Sequence, residues 1–403
     1  MTDWGKRAEA LLADLAACSE PGPGVTRLPF TPQHRAALDL LEARMRAAGL
    51  AVTLDDAGTL IGRRAGPPGT LTLLMGSHQD SVRQGGAFDG IMGVVLPLLA
   101  LEKLAEEGIK LPFSVEVLAF ADEEGVRFPT ALVGSRALAG TFDPEVLSMQ
   151  DAQGISLRMA MSEFGLDPDR ITTLARDPAA VLGFVETHIE QGPVLEAEGQ
   201  ALGVVTAICG IERHQIVLTG ETGHAGTLPM EGRRDALVGA AALVTEVARL
   251  GESTPGLRAT VGALTVEPNV VNAVPRRVRM SAEFRSPDDD TRRRAGDALH
   301  RFARNLAEER NLRVEAELTY AQAAQPCDSA LGARLAAATQ AVGIRGLSLP
   351  SGATHDASAM ADLCPMAMLF VRCRDGVSHK PEEYASASDL GRAIDALAAF
   401  LTA

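Results

Sequence analysis

Apolar residues along this 403-residue chain recur at two periods, and the switches between the periods mark its elements. Residues 3–17 and 34–50 place apolar side chains every three to four positions, which predicts two amphipathic helices, the second stopped at Gly49. Residues 51–63 read as strand and turn, with DDAGTL turning. LTLLMGSH (71–78) is an unbroken apolar run of strand length that ends in polar residues. IMGVVLPLLALEKLAEEG (91–108) then predicts a helix, and SVEVLAFADEEG (114–125) a strand running into three acids. Residues 141–180 predict short helices, and FVETHIEQGP a strand or helix start. Strand, helix, strand is the signature of an α/β unit with its chemistry at strand ends.

The character changes after Gly210. A strand at RHQIVLTG is followed by a helix at 233–251, a strand over LRATVGALTVE (257–267), and a strand at RRVRMSAEFRS that alternates at Val278, Met280, Ala282 and Phe284. A helix at 291–309 and the strand LRVEAELTY complete a β-α-β-β-α-β order, the ferredoxin-like pattern. The chain then returns to α/β character, with a helix at 330–343, a buried strand at PMAMLFVRC and a closing helix at 386–403. The expected fold is therefore α/β: a catalytic domain with a mixed sheet flanked by helices, built from 1–207 and 322–403, with a ferredoxin-like domain inserted at 208–321.

Composition narrows the class. Hydrophobic residues at 46% and charged residues at 22% are ordinary for a globular protein, and aromatics at 4% are too few for base-stacking platforms. A formal net charge of −14 argues against nucleic-acid partners. The five cysteines are scattered without a CxxC pair, which points to buried thiols in a reducing compartment. The N-terminus interleaves charges with apolar residues, unlike a secretion signal, and no apolar run is long enough to span a bilayer. A cytoplasmic protein is expected, with no membrane partner.

Candidate chemistry gathers at the strand ends. GSHQDSVRQGGAFDGIMG (76–93) carries His78, Asp80 and Asp89. Asp80, two residues on, can orient the His78 ring. Asp89, before a glycine, can bridge two cations with one oxygen each, or cap the following helix. In ADEEG, Asp122, Glu123 and Glu124 place like charges together, and a cation would relieve their repulsion; one Glu can ligate while its neighbour takes a proton from water. His188 in HIEQGP and His379 in GVSHKP sit beside loop-forming residues. His78, Asp89, Glu124, His188 and His379 together make a donor set suited to zinc or manganese. In SGATHDAS, Gly352, His355 and Asp356 are read as shaping the site. In the inserted domain, His224 lies among small residues, Asn272 in NVVNAVP, and Arg285 at a strand end where it can grip a carboxylate or simply face water. His34, His214 and His300 are assigned to structure or surface.

These segments, with FADEEGVRF, HIEQGPVLE, GHAGTLPM, EFRSPD and SGATHDASAMADLCPMAMLFVRCRDGVSHKPEEY, resemble the carbamoylase/allantoate amidohydrolase family, the amidase branch of the di-zinc aminoacylase and carboxypeptidase clan. The matching motifs run from about residue 76 to 384. The resemblance implies an enzyme that hydrolyses a ureido C–N bond of a small carboxylate with two divalent ions, zinc or manganese with cobalt possible. Allantoate is the first expectation; N-carbamoyl-L-amino acids are the alternative, then N-acyl amino acids or dipeptides. It implies that His78 and His188 hold one metal, Glu124 and His379 the other, and that Asp89 bridges. Asp80 would orient His78, and Glu123 would be the general base. His224 would reach a partner subunit's site in a homodimer formed through 208–321 and stabilise the oxyanion. Gln191, Asn272, Arg285, Gly352 and His355 would line the substrate. Two departures stand out: Thr354 where the family commonly has glycine, and Leu228 where threonine is usual. Both bear on which substrate fits.

Overall fold

The computed structural model describes residues 2–403. They fall into two compact units, one comprising the chain up to Thr206 together with Cys327–Ala403, the other Ala207–Pro326. In chain order the strands are β1 (Ala51–Leu54), β2 (Leu60–Arg64), β3 (Thr72–His78), β4 (Ser114–Phe120), β5 (Val181–Ile189), β6 (Leu202–Ile208), β7 (Gly210–Thr219), β8 (Arg258–Thr260), β9 (Leu264–Glu267), β10 (Arg277–Ser286), β11 (Arg313–Gln322), β12 (Gln325–Pro326), β13 (Leu347–Ser351) and β14 (Met366–Val371).

The first unit is a mixed sheet in the order β1-β2-β4-β3-β5-β14-β6, with β13 also against β6. Its centre, β4-β3-β5-β14, is parallel. Every residue of β3, β4 and β14 is buried, which is why these strands read as unbroken apolar runs: helices cover both faces of a parallel sheet. The helix Met92–Glu106 is buried nearly throughout, and its side chains share one core with those of the helices Trp4–Ala16, Pro32–Ala47 and Ala387–Thr402. Four neighbouring parallel strands therefore end at one edge; His78 and His188 lie at the ends of β3 and β5, and the loops that leave the edge carry the Asp122–Glu124 acids and the segment leading to His379. Ligand sites collect at such an edge in open α/β sheets.

The second unit is an antiparallel sheet in the order β11-β7-β10-β8, with β9 beside β10. Helices Ala236–Ser253 and Asp289–Glu309 pack on one face, where Val278, Met280, Ala282 and Phe284 of β10 are buried. The strand expected over 257–267 is in fact two, β8 and β9. Around the break the Ala263 N–H leaves the ladder and donates to the Ser281 hydroxyl at 3.0 Å. Pattern reading also missed β6, β13 and the short helix Asp356–Met360. Among the described residues no helix is long and apolar enough to cross a membrane.

Candidate metal centre

Asp89 is the hub of the strand-end edge. One carboxylate oxygen, Oδ1, lies 3.1 Å from His188 Nε2 and 3.8 Å from His78 Nε2. The other, Oδ2, lies 3.1 Å from His379 Nε2 and accepts from the Gln191 amide at 3.1 Å. The helix that begins at Met92 has no side-chain cap, so Asp89 is turned away from the capping role open to it on sequence. Gly90 is required beside it: its φ is +65°, and a Cβ there would fall 2.3 Å from the His78 ring.

Two three-residue donor sets share this carboxylate. His78, Asp89 and His188 form one, Asp89, Glu124 and His379 the other, each with ligand atoms within 4.8 Å of one another. Glu124 Oε1 is buried without a hydrogen-bond partner. An orphaned carboxylate oxygen between imidazole nitrogens and a shared aspartate is what a pair of divalent cations would satisfy, so the residues fit the metals. The N/O donor types suit zinc, manganese or cobalt and do not choose among them.

The electrostatics point the same way. Burial pushes Glu123 well above the usual carboxylate range, reinforced by Glu124, Asp356, Asp80 and Glu186. Burial, with Asp89 and Asp80, pushes Glu124 up to about 8. Burial acts on Asp89 in the same sense, but its hydrogen bonds with His188 and His379 win and hold it well below the usual range. Burial would lower His188, yet its bond to Asp89 raises it to about 9; the same bond raises His379 to about 8. Asp89 is thus the one carboxylate of the cluster held on the charged side, between the two imidazoles whose proton affinity it raises.

Asp80 reaches His78 through its main chain. Its carbonyl lies 3.0 Å from His78 Nδ1, while its carboxylate oxygens accept from the main-chain N–H groups of Glu123 and Glu124, both at 3.2 Å. The carboxylate also stays beside the same ring, with Oδ1 3.8 Å from His78 Nδ1. Asp80 therefore ties two metal-facing loops together. Gln191 Nε2 donates to Asp89 Oδ2 at 3.1 Å and to Ser378 Oγ at 3.0 Å. His355 is buried, with Nε2 2.7 Å from Ser351 Oγ and its ring packed edge-on against His188. Gly352 lies in an exposed stretch of the same loop.

The remaining predicted residues lie on the second unit. His224 is exposed, its Nδ1 accepting from the Gly226 and Thr227 N–H groups at 3.1 and 3.2 Å. Asn272 is exposed, its carbonyl accepting from Ala225. Arg285 donates to Glu283 at 2.7 Å. Directly across from it in the β8–β10 ladder stands Arg258, so two guanidinium groups share the sheet face opposite the helices. His34 is a core residue whose Nδ1 accepts the Phe30 N–H at 2.8 Å, and His214 pairs with His300 at 3.0 Å, the structural roles expected of them.

Two acids escaped the sequence reading. Glu186, in the middle of β5, accepts from Ser77 Oγ at 2.6 Å and the Ala357 N–H at 2.7 Å. A charge two residues before His188 in an apolar strand was the available signal, because it must face the same side as the histidine. Glu383 accepts from the main-chain N–H groups of Phe88 and Asp89, both at 3.0 Å, and from Ser378 Oγ at 2.8 Å.

Residues 74–403 match the family model described as peptidase family M20/M25/M40. An N-carbamoyl-L-amino acid amidohydrolase from Geobacillus stearothermophilus is 42% identical over 371 residues, 92% of this chain and 91% of that protein. An allantoate amidohydrolase from Bacillus subtilis (strain 168) is 34% identical over 377 residues, 93% of this chain and 91% of that protein. A crystal structure of an amidase of the hydantoinase/carbamoylase family from Burkholderia multivorans superposes with a TM-score of 0.92 at 35% identity, covering 99% of this chain and 97% of that one.

Proposed function

The chain belongs to peptidase family M20/M25/M40 and is a hydrolase of C–N bonds, and we propose that it cleaves the ureido C–N bond of a small carboxylate, allantoate, with two divalent metal ions. The observation that carries this reading is the Asp89 carboxylate, with His188 on one oxygen and His379 on the other. His78 and His188 would hold one ion, Glu124 and His379 the second, with Asp89 between them. The ions would polarise the ureido carbonyl and draw the pKa of a shared water towards neutrality.

The protein's own groups do the rest. Glu123, whose proton affinity is raised by burial and by Glu124, takes the proton from the attacking water. It then returns that proton to the leaving nitrogen. The products are ammonia, carbon dioxide and the amine-bearing acid. Asp80 holds the Glu123–Glu124 main chain so that the two side chains keep their separate tasks. Arg285 takes the substrate carboxylate, and the adjacent Arg258 makes that sheet face more favourable to an anion. Asn272, Gln191, Gly352 and His355 shape the pocket, Gln191 and His355 acting through the side chains they touch. His224 serves the oxyanion in the partner subunit of a cytoplasmic homodimer formed through 208–321, which acts as the lid. Nucleic acid and membrane have no part in this reading.

N-Carbamoyl-L-amino acids are the second reading, favoured by the Geobacillus relative at 42% identity. Segments GHAGTLPM and MLFVRCRDGVSHKP resemble those of allantoate amidohydrolases more than those of N-carbamoyl-amino-acid hydrolases, which supports allantoate. Both substrates present a ureido carbonyl and a carboxylate, so a panel decides. With manganese supplied, ammonia release from allantoate should exceed that from N-carbamoyl-amino acids, and N-acetyl-amino acids and dipeptides should stay intact. Faster turnover of N-carbamoyl-amino acids would install the second reading. Cleavage confined to N-acyl or peptide bonds would remove both.

A further inference from the structure

The loop that carries Asp89 and the loop that carries His379 are nearly three hundred residues apart in sequence, yet one buried side chain holds both. Glu383 Oε1 accepts two successive main-chain N–H groups, those of Phe88 and of Asp89 itself. Its Oε2 accepts from the hydroxyl of Ser378, the residue before His379. Ser378 in turn accepts from Gln191, whose amide also donates to Asp89 Oδ2. The three loops are thus closed into one hydrogen-bonded ring around the Asp89 carboxylate.

Two further features are built for this contact. A Cβ on Gly86 would lie 2.1 Å from Glu383 Oε1, so the glycine at this position of RQGGAFDG leaves room for the incoming carboxylate. Phe88 also packs edge-on against Tyr384, seating the residue before Asp89 on the residue after Glu383. Moreover, Gln191 and His379 both hold left-handed backbone, with φ of +56° and +58°. Non-glycine residues persist there only where their surroundings over-determine them. Both aim their side chains at Asp89 Oδ2.

We propose that Glu383 is a positioning residue which, through the Phe88 and Asp89 N–H groups and the Ser378 hydroxyl, presets Asp89 and His379 for the two cations. This rests on the two-metal reading above and adds a residue that touches neither metal nor substrate. Groups that orient metal ligands from behind typically change affinity or activity by about 10–100-fold when replaced.

The test is calorimetric titration of the metal-free full-length protein with manganese alone, on wild type, Glu383→Gln, Glu383→Ala and Ser378→Ala, with melting temperatures alongside. Glu383→Ala should bind manganese about 10–100-fold more weakly. Glu383→Gln should fall between it and wild type, because an amide oxygen can still accept the two N–H groups. Excess manganese should restore kcat of the Gln variant towards wild type with KM unchanged. A fall in melting temperature with unaltered manganese affinity in both Glu383 variants would overturn the proposal and leave Glu383 a fold residue. If the Ala variant does not fold, the Gln variant alone decides, since wild-type affinity there contradicts the assignment. Failure of wild type itself to take up manganese would remove the two-metal reading as well, an outcome distinct from equal binding by wild type and variants.

Discussion

Replacing Glu123 by alanine should leave the metal content of the protein intact and lower kcat by about 10²–10⁴-fold, the usual contribution of a positioned general base. The expectation follows from how the two adjacent glutamates are held. Asp80 grips both of their N–H groups, so the turn that carries them is fixed. Glu124 belongs to the donor set of Asp89 and His379. Glu123 approaches His78 Nε2 only to 3.9 Å, and burial, then Glu124, Asp356, Asp80 and Glu186, all push its proton affinity up. A group that must take a proton and give it back needs such a raised affinity. Glu123 can also be drawn into a ligand set with His78 and Glu124, and that arrangement makes the opposite forecast. Elemental analysis of Glu123→Ala separates them. Full metal with collapsed turnover supports the base. Lost metal makes Glu123 a ligand, and full metal with undiminished turnover leaves it without a role.

Asp89→Asn should be more damaging than loss of any group that only orients a ligand, exceeding the roughly 100-fold upper figure for such changes. Asparagine keeps the shape but supplies one acceptor oxygen, while the geometry asks for two, at 3.1 Å from His188 and from His379. An NH2 group turned towards either imidazole cannot share a cation with it. Stability should change little by comparison, because the side chain caps no helix and the Asp89 main chain stays held by Glu383. We expect a melting temperature within a few degrees of wild type, about 1–2 kcal/mol at most for a protein of this size. Kinetics and thermal melts on the same preparation decide it. Near-normal turnover with a large drop in melting temperature would make Asp89 a structural residue.

How much of this could be read beforehand follows from which interactions are local. His78, Glu124 and His188 were legible because each closes an apolar run at a strand end, and His379 because its motif flanks a loop. Asp89 was legible only as one of two options, since a lone aspartate before a helix serves equally as a cap; in the structure its oxygens face His188 and His379 and the helix has no side-chain cap. Glu383 was not legible. It acts on backbone N–H groups, and any residue type carries those, so no pattern at Phe88 or Asp89 announces its partner. Asp80 was legible as the neighbour of His78, whose Nδ1 lies 3.0 Å from its carbonyl and 3.8 Å from its carboxylate, but not as the acceptor of the Glu123 and Glu124 N–H groups, which belong to a distant segment. β6 and β13 were lost for a related reason: each is secured by sheet neighbours distant in sequence, not by its own periodicity.

The central claim is that two cations share Asp89 and that hydrolysis depends on both. Metal per chain should therefore be counted by elemental analysis as chelated protein is reloaded with manganese, with ammonia release from allantoate and an N-carbamoyl-amino acid followed at each step. The account predicts saturation at two ions per chain, with turnover abolished by chelation and fully restored only as the second ion binds. Undiminished ammonia release from protein shown to be metal-free, or saturation at a single ion with full activity, would contradict it.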